Sequence, residues 1–141
     1  MSAVREDRHR VIRNLVRDND IRTQSALAEA LREHGFKVTQ ATVSRDITDL
    51  GLQKNSKGCY ALSEDRRLQS LVKTVVRETR RAFNQVVVLS DPGTASSVAA
   101  AIDAADSPGV LGCIAGDDTV LVIAADEAEA IQFQRKIDEM L

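Results

Sequence analysis

Two short groups of residues in this 141-residue chain have types and spacings that could do chemistry. The first is TQATVSRDITDL, from Thr39 to Leu50. At about 100° per residue on a helix, Val43, Ile47 and Leu50 fall on one stripe, while Ala41, Thr42, Ser44, Arg45, Thr48 and Asp49 project from the other side. Short hydroxyl side chains let a helix approach base edges closely. An Arg among them can fork onto guanine or clamp a phosphate, so this face suits the major groove of DNA. The second group is acidic. Gly116-Asp117-Asp118 lies between two apolar runs, and Asp103 stands seven positions after Ser96 in a helix-forming stretch, so those two share a face. Three carboxylates facing one place would repel unless a cation stood among them. A guanidinium, an ammonium or a divalent metal would each meet that need. Taken alone, Gly-Asp-Asp is also the ordinary chemistry of a solvated turn. No nucleophile and base pair, phosphate-cradling glycine loop or metal-ligating His accompanies either group, which argues against catalysis.

The elements that must position the first group precede and follow it. Val11, Ile12, Leu15 and Val16 recur at helical spacing, and after a break at Asp18 to Arg22 a second helix starts with Thr23 as its N-cap and Leu27, Ala28 and Leu31 as its buried stripe. Gly35 follows His34 where a left-handed C-terminal cap is expected, and Thr39 caps the third helix. This is a helix-turn-helix. Gly51 ends the third helix, and Leu52 to Lys54 can pair with Cys59 to Leu62 across Asn55-Ser56-Lys57-Gly58, a turn-forming cluster. The hairpin reads as a wing with Lys54 and Lys57 placed for phosphates. Three amphipathic helices and a hairpin could also be no more than a small packed domain.

The second group has its own scaffold. Val86 to Leu89 is a short apolar run ending at Ser90-Asp91-Pro92-Gly93, a helix follows from Thr94 to about Ala105, and Asp106 to Gly109 stops it. Val110 to Ala115 and Thr119 to Ala124 read as strands, and Glu127 to Leu141 as a helix with Ala130, Phe133, Ile137 and Met140 on one side. Residues 72–81 fit an edge strand paired with 85–90 and a helix almost alike.

Charge separates the two groups. Residues 1–60 carry 11 Lys and Arg against 8 Asp and Glu, residues 61–81 carry 6 against 3, and residues 82–141 carry 2 against 10. The net charge of −2 conceals a basic first half and an acidic second half, which implies nucleic acid on one side and something cationic on the other. The break near residue 81 and the polar SEDRRLQS stretch favour two small domains. Units of about 60 to 75 residues bury only around 60% of their unfolded surface, so self-association is expected, above all for the Ala- and Val-rich second half. Cys59 and Cys113 have apolar flanks and supply neither a disulfide framework nor a metal set, as in a cytosolic protein. His9 and His34 read as helix-surface residues. Neither a signal peptide nor a membrane span is expected, and the localisation expected is cytoplasmic.

Two blocks, VTQATVSRDI at 38–47 and GTA at 93–95 continuing through the Asp103 helix to VLGCIAGDDTVLVI at 110–123, carry a resemblance across nearly the whole chain: it is similar to the bacterial arginine repressors. The resemblance implies an α+β chain of two domains. Residues 1–64 would be a winged helix-turn-helix that binds operator DNA, 65–81 a linker and the start of the second domain, and 82–141 an arginine-binding, oligomerising α/β sandwich with a small antiparallel sheet and two helices. Two trimers would stack as a hexamer with L-arginine, the corepressor, at their interface. The regulator would act on genes of arginine biosynthesis and catabolism without a further cofactor. Ser44 and Arg45 become the leading operator contacts, with Gln40 and Thr42 nearby, while Asp117 and Asp118 match the arginine-binding acidic pair and Asp103 the helix carboxylate. Ser96 and Ala115 complete the ligand set. The alternative is a winged-helix regulator sensing a divalent metal or another cationic metabolite through the same acidic cluster. The chain departs from the family pattern at Ser96, at Cys113 in place of Thr, at Leu89-Ser90-Asp91 and at Phe83 in place of Gly.

Overall fold

The computed structural model describes residues 2–141 and divides the chain into two compact units, one ending at Arg66 and the other running from Arg67 to Leu141. The first begins with α1 (Ser2–Asp18), α2 (Gln24–Glu33) and α3 (Gln40–Asp49), followed by β1 (Gln53–Lys54) and β2 (Tyr60–Ala61). Local chemistry accounts for where these helices start and stop. The Thr23 and Thr39 hydroxyls accept the N–H groups of Ala26 and Thr42, at 3.0 and 3.2 Å, each satisfying a donor the helix cannot use internally. At the other ends, Gly35 (φ +87°) and Gly51 (φ +63°) take the left-handed conformation that a side chain would resist. The following residues, Phe36 and Leu52, then return their N–H groups to the carbonyls of Leu31 and Ile47, closing the same double-bonded cap on α2 and on α3.

Ile12, Leu15 and Val16 of α1, Leu27, Ala28 and Leu31 of α2, and Val43 of α3 meet in one core that Ile21, Val38, Leu52 and Leu62 complete. β1 and β2 pair antiparallel, with Lys54 opposite Tyr60. Asn55 builds the turn between them by accepting the N–H groups of Lys57 and Cys59 on its side-chain oxygen. A 2.8 Å bond from the Tyr60 N–H to the Ile21 carbonyl fastens this hairpin to the loop between α1 and α2.

The second unit is a four-stranded antiparallel sheet of β3 (Val76–Ala82), β4 (Gln85–Ser90), β5 (Val110–Ala115) and β6 (Thr119–Ala124) in the order β3-β4-β6-β5. With it go α4 (Ser63–Val75), whose first four residues belong to the first unit, α5 (Ala95–Ala105) and α6 (Glu127–Met140). Residues 72–81, whose period fitted strand and helix alike, divide between the two states, because α4 runs to Val75 and β3 begins at Val76 without a break. α4 adds a third helix to the two expected. The charges of SEDRRLQS obscured it, yet Leu68, Leu71, Val72 and Val75 recur at the i, i+3, i+4, i+7 spacing of a helix face, and Leu68 and Val72 are fully buried.

Inward-facing Val86, Val88, Val120, Val122 and Ala124 of the sheet pack with Val98, Ile102, Ala130, Phe133 and Ile137. The outward face is not the polar one that alternation would supply in an isolated sheet. Val87 lies opposite Leu121 and Leu121 opposite Ile114, an apolar row across three strands, and on the edge strand β5 Leu111 and Ile114 are 72% and 71% exposed.

The two-residue turn between β3 and β4 carries Phe83 at φ +52° with 77% of its surface exposed. A bulky residue held there is strained by ~1 to 2 kcal/mol relative to Gly, while Gly loses ~0.5 to 1 kcal/mol more chain entropy on folding. Phe83→Gly is therefore expected to stabilise the protein by about 0.5 to 1 kcal/mol. Thermal unfolding checks this, and a lowered midpoint would mean that the ring makes contacts outweighing its strain.

Candidate functional site

On α3 the residues picked from spacing occupy the expected face. Gln40 and Arg45 are exposed and Thr42 and Ser44 half-buried, while Val43 is fully buried beneath them. Thr42 also serves the helix itself: its hydroxyl lies 3.1 Å from that of Thr39, within the N-terminal cap. Arg45 is held by one long bond, Nε to the Ala41 carbonyl at 3.4 Å, so its guanidinium is lightly tethered. Lys54 and Lys57 stand exposed on the wing. The Lys54 ammonium sits 5.5 Å from the centre of the Tyr60 ring, and the Lys57 carbonyl accepts a 2.6 Å bond from Arg22. The wing tip is thus anchored from below while both ammonium groups remain at the surface.

One α3 residue was missed. Asp46 is 2% exposed and accepts Arg8 Nε and Nη2 at 2.5 and 2.9 Å and His9 Nε2 at 2.9 Å. Its angular position, beside the Val43, Ile47 and Leu50 stripe, was the available signal. His9 is accordingly not a free surface residue: its side chain is 17% exposed and turned to Asp46. Burial alone would push the Asp46 carboxyl up, but the hydrogen bonds from Arg8 and His9 outweigh it and hold the group below its ordinary value. A depressed carboxyl stabilises the fold above its unfolded pKa and loses that contribution only as acid titrates through the lowered one, so the contacts are intact at neutral pH.

In the second unit, the backbone of the acidic turn is tied down. The Asp117 carbonyl accepts the Ala95 N–H at 3.1 Å at the start of α5, and the Asp118 carbonyl accepts the Ser90 N–H at 2.8 Å at the end of β4. The carboxylates are left outside. Asp117 is exposed, and the Asp118 side chain is 51% exposed, accepting Thr119 Oγ1 at 3.0 Å with Arg77 Nη2 3.9 Å away. Arg77, which spacing gave no reason to choose, also donates to the Ser90 carbonyl at 2.7 Å and lies 4.0 Å from Asp91.

Asp103 and Ser96 are both exposed on α5, as their seven-residue spacing demanded, and Ala115 is half-buried at the end of β5. The Asp103 carboxylate accepts the Cys113 thiol at 3.3 Å. Burial first, and then the Asp103 carboxylate, push that thiol up to about 11, so it is an un-ionised, weakly nucleophilic S–H at neutral pH.

Among the described residues, the group of three potential metal ligands lying within 4.8 Å of one another is His9, Asp46 and Asp49, not Asp103, Asp117 and Asp118. The His9 group is already neutralised by Arg8, and by Arg5 bonded to Asp49 at 2.7 Å, which leaves no unbalanced charge for a metal.

Comparison with known proteins covers both units of the chain. Residues 3–68 match the family model described as the arginine repressor DNA binding domain, and residues 72–139 match that of the arginine repressor C-terminal domain. A protein of Carboxydothermus hydrogenoformans named arginine repressor is 44% identical over 146 aligned positions, covering 95% of this chain and 97% of its own. Proteins of the same name from Solibacter usitatus and Koribacter versatilis are 43% and 37% identical, covering 89% and 95% of this chain and 89% and 96% of their own.

Proposed function

Because the chain belongs to the arginine repressor family, and so is a DNA-binding transcriptional regulator and not an enzyme, we propose that it senses L-arginine through its second unit and transmits the signal by assembly. The observation that carries this reading is the acidic turn: its backbone is fastened to Ala95 and Ser90 while two adjacent carboxylates stay in solvent. Two adjacent carboxylates suit a planar, two-pronged cation, since a guanidinium satisfies both together where an ammonium offers a point charge. Asp103, Ser96 and Ala115 would supply further contacts to a ligand of amino-acid length seated between copies of the chain.

The apolar row Val87, Leu121, Ile114, with Leu111 beside it, supports self-association, since such a patch is costly to leave in water. Trimers built on that face would pair as a hexamer with L-arginine between them. Ser44 and Arg45 would read operator bases, Gln40 and Thr42 would lie close by, and Lys54 and Lys57 would hold phosphates. Linking several heads in one assembly raises the effective concentration of the second head once the first is bound, so a ligand that tightens the assembly tightens DNA binding without touching a base. The regulated genes would be those of arginine synthesis and breakdown, and the protein would work in the cytoplasm; no helix among the described residues is long and apolar enough to cross a membrane.

Light scattering with and without L-arginine tests this directly. The expected result is an arginine-stabilised species six times the mass of the 15.4 kDa chain. A monomer indifferent to arginine would overturn the proposal.

A further inference from the structure

At the N-terminal end of α1 a groove of about 930 Å³ runs between α1 and α3, lined by Val4, Arg5, Arg8, His9, Asp46 and Asp49 among others. There the two helices are joined by ions and not by close apolar packing: Arg8 forks onto Asp46 through Nε and Nη2, His9 bonds the same carboxylate, and Arg5 bonds Asp49. Asp46 is buried and Arg8 and His9 nearly so, beside the base-reading face of Ser44 and Arg45, while Arg45 and Asp49 line the same groove.

We infer that Asp46 is a positioning residue for DNA recognition, fixing the rotation of α3 about its own axis against Arg8 and His9 of α1 so that Ser44 and Arg45 are presented together. The inference rests on the DNA-binding reading above. A helix seated by apolar contacts alone is free to roll by small angles, because dispersion is non-directional. A forked guanidinium on a carboxylate is not, since both N–H···O bonds lengthen with any rotation. Val43, Ile47 and Leu50 supply the adhesion and Asp46 supplies the angle. Base readout depends on that angle through bidentate geometry, whereas attraction to phosphates depends mainly on charge.

The test uses the full chain with L-arginine present and two probes: the duplex that the wild-type protein recovers most tightly from a random-sequence pool, and poly(dI-dC). Asp46→Asn is expected to weaken the selected duplex by about tenfold or more while poly(dI-dC) changes by less than about twofold, since removing an anion does not reduce attraction to phosphate. Arg8→Lys keeps the charge but loses the fork, so its loss of discrimination should fall between about three- and tenfold. It also decides the matter should Asp46→Asn fail to fold. If both variants keep the wild-type ratio of affinities, or a folded variant loses both DNAs equally, the residue is structural only and the inference is overturned. If the wild-type protein recovers no preferred duplex, the DNA-binding reading falls and this inference with it.

Discussion

Replacing Asp117 or Asp118 by Asn is expected to lower the affinity for L-arginine by ~2 to 5 kcal/mol, well over tenfold, because in the proposed complex it would remove one partner of a hydrogen-bonded charge pair that the ligand desolvates and leave the other without compensation. The side-chain shape is preserved, and so is the backbone anchoring to Ala95 and Ser90, which runs through main-chain carbonyls. The loss should therefore appear in ligand binding and not in folding. At Asp118 part of the charge already faces Arg77 at 3.9 Å, so Asp118→Asn also frees that guanidinium, while Asp117, with its carboxylate in solvent, tests the ligand contact more cleanly. DNA binding should lose its arginine response and keep its basal, salt-sensitive part, because α3 and the wing are untouched. Calorimetry and an arginine titration of DNA affinity read the two quantities. Normal arginine binding by an Asn variant would refute the carboxylate clamp, and loss of arginine binding with a full arginine response on DNA would refute the linkage.

Arg45→Ala is expected to remove ~1 to 3 kcal/mol of affinity for the preferred duplex if Arg45 reads a base, and to leave assembly and arginine binding intact. Its side chain is exposed and its one intramolecular bond, to the Ala41 carbonyl, is long, so truncation costs the fold little. The form of the loss identifies the contact. A base contact lowers specific binding and relaxes sequence preference at one position, whereas a phosphate contact weakens all sequences alike and reduces the salt slope by about one. Filter binding against the preferred duplex and against non-specific DNA at several salt concentrations separates these. Unchanged affinity on both would remove Arg45 from the interface.

Much of this protein follows from residues a few positions apart. Thr23 and Thr39 announce helix starts, Gly35 and Gly51 announce helix ends, and Asn55 announces a turn, because each acts on backbone groups within five residues of itself. The period of Val43, Ile47 and Leu50 puts Ser44 and Arg45 on the opposite side of α3 without reference to anything outside that segment, and the Val-rich runs at 86–89 and 119–124 suit strands. The acidic turn and the opposed charges of the two halves are legible for the same reason, being properties of composition and of neighbours.

What tertiary structure alone decided involves partners far apart in the chain. Asp46 meets Arg8 and His9, 38 and 37 positions away, so no local pattern could reveal that a polar residue of α3 was buried and paired. Likewise the anchoring of Asp117 and Asp118 depends on where β4 and α5 come to lie, and the apolar row Val87, Leu121, Ile114 depends on strand order. How near Asp103 comes to the acidic turn also depends on packing, since a helical face specifies direction but not distance. Local sequence determines which groups can form hydrogen bonds and which faces are apolar; the packed chain determines which of them meet.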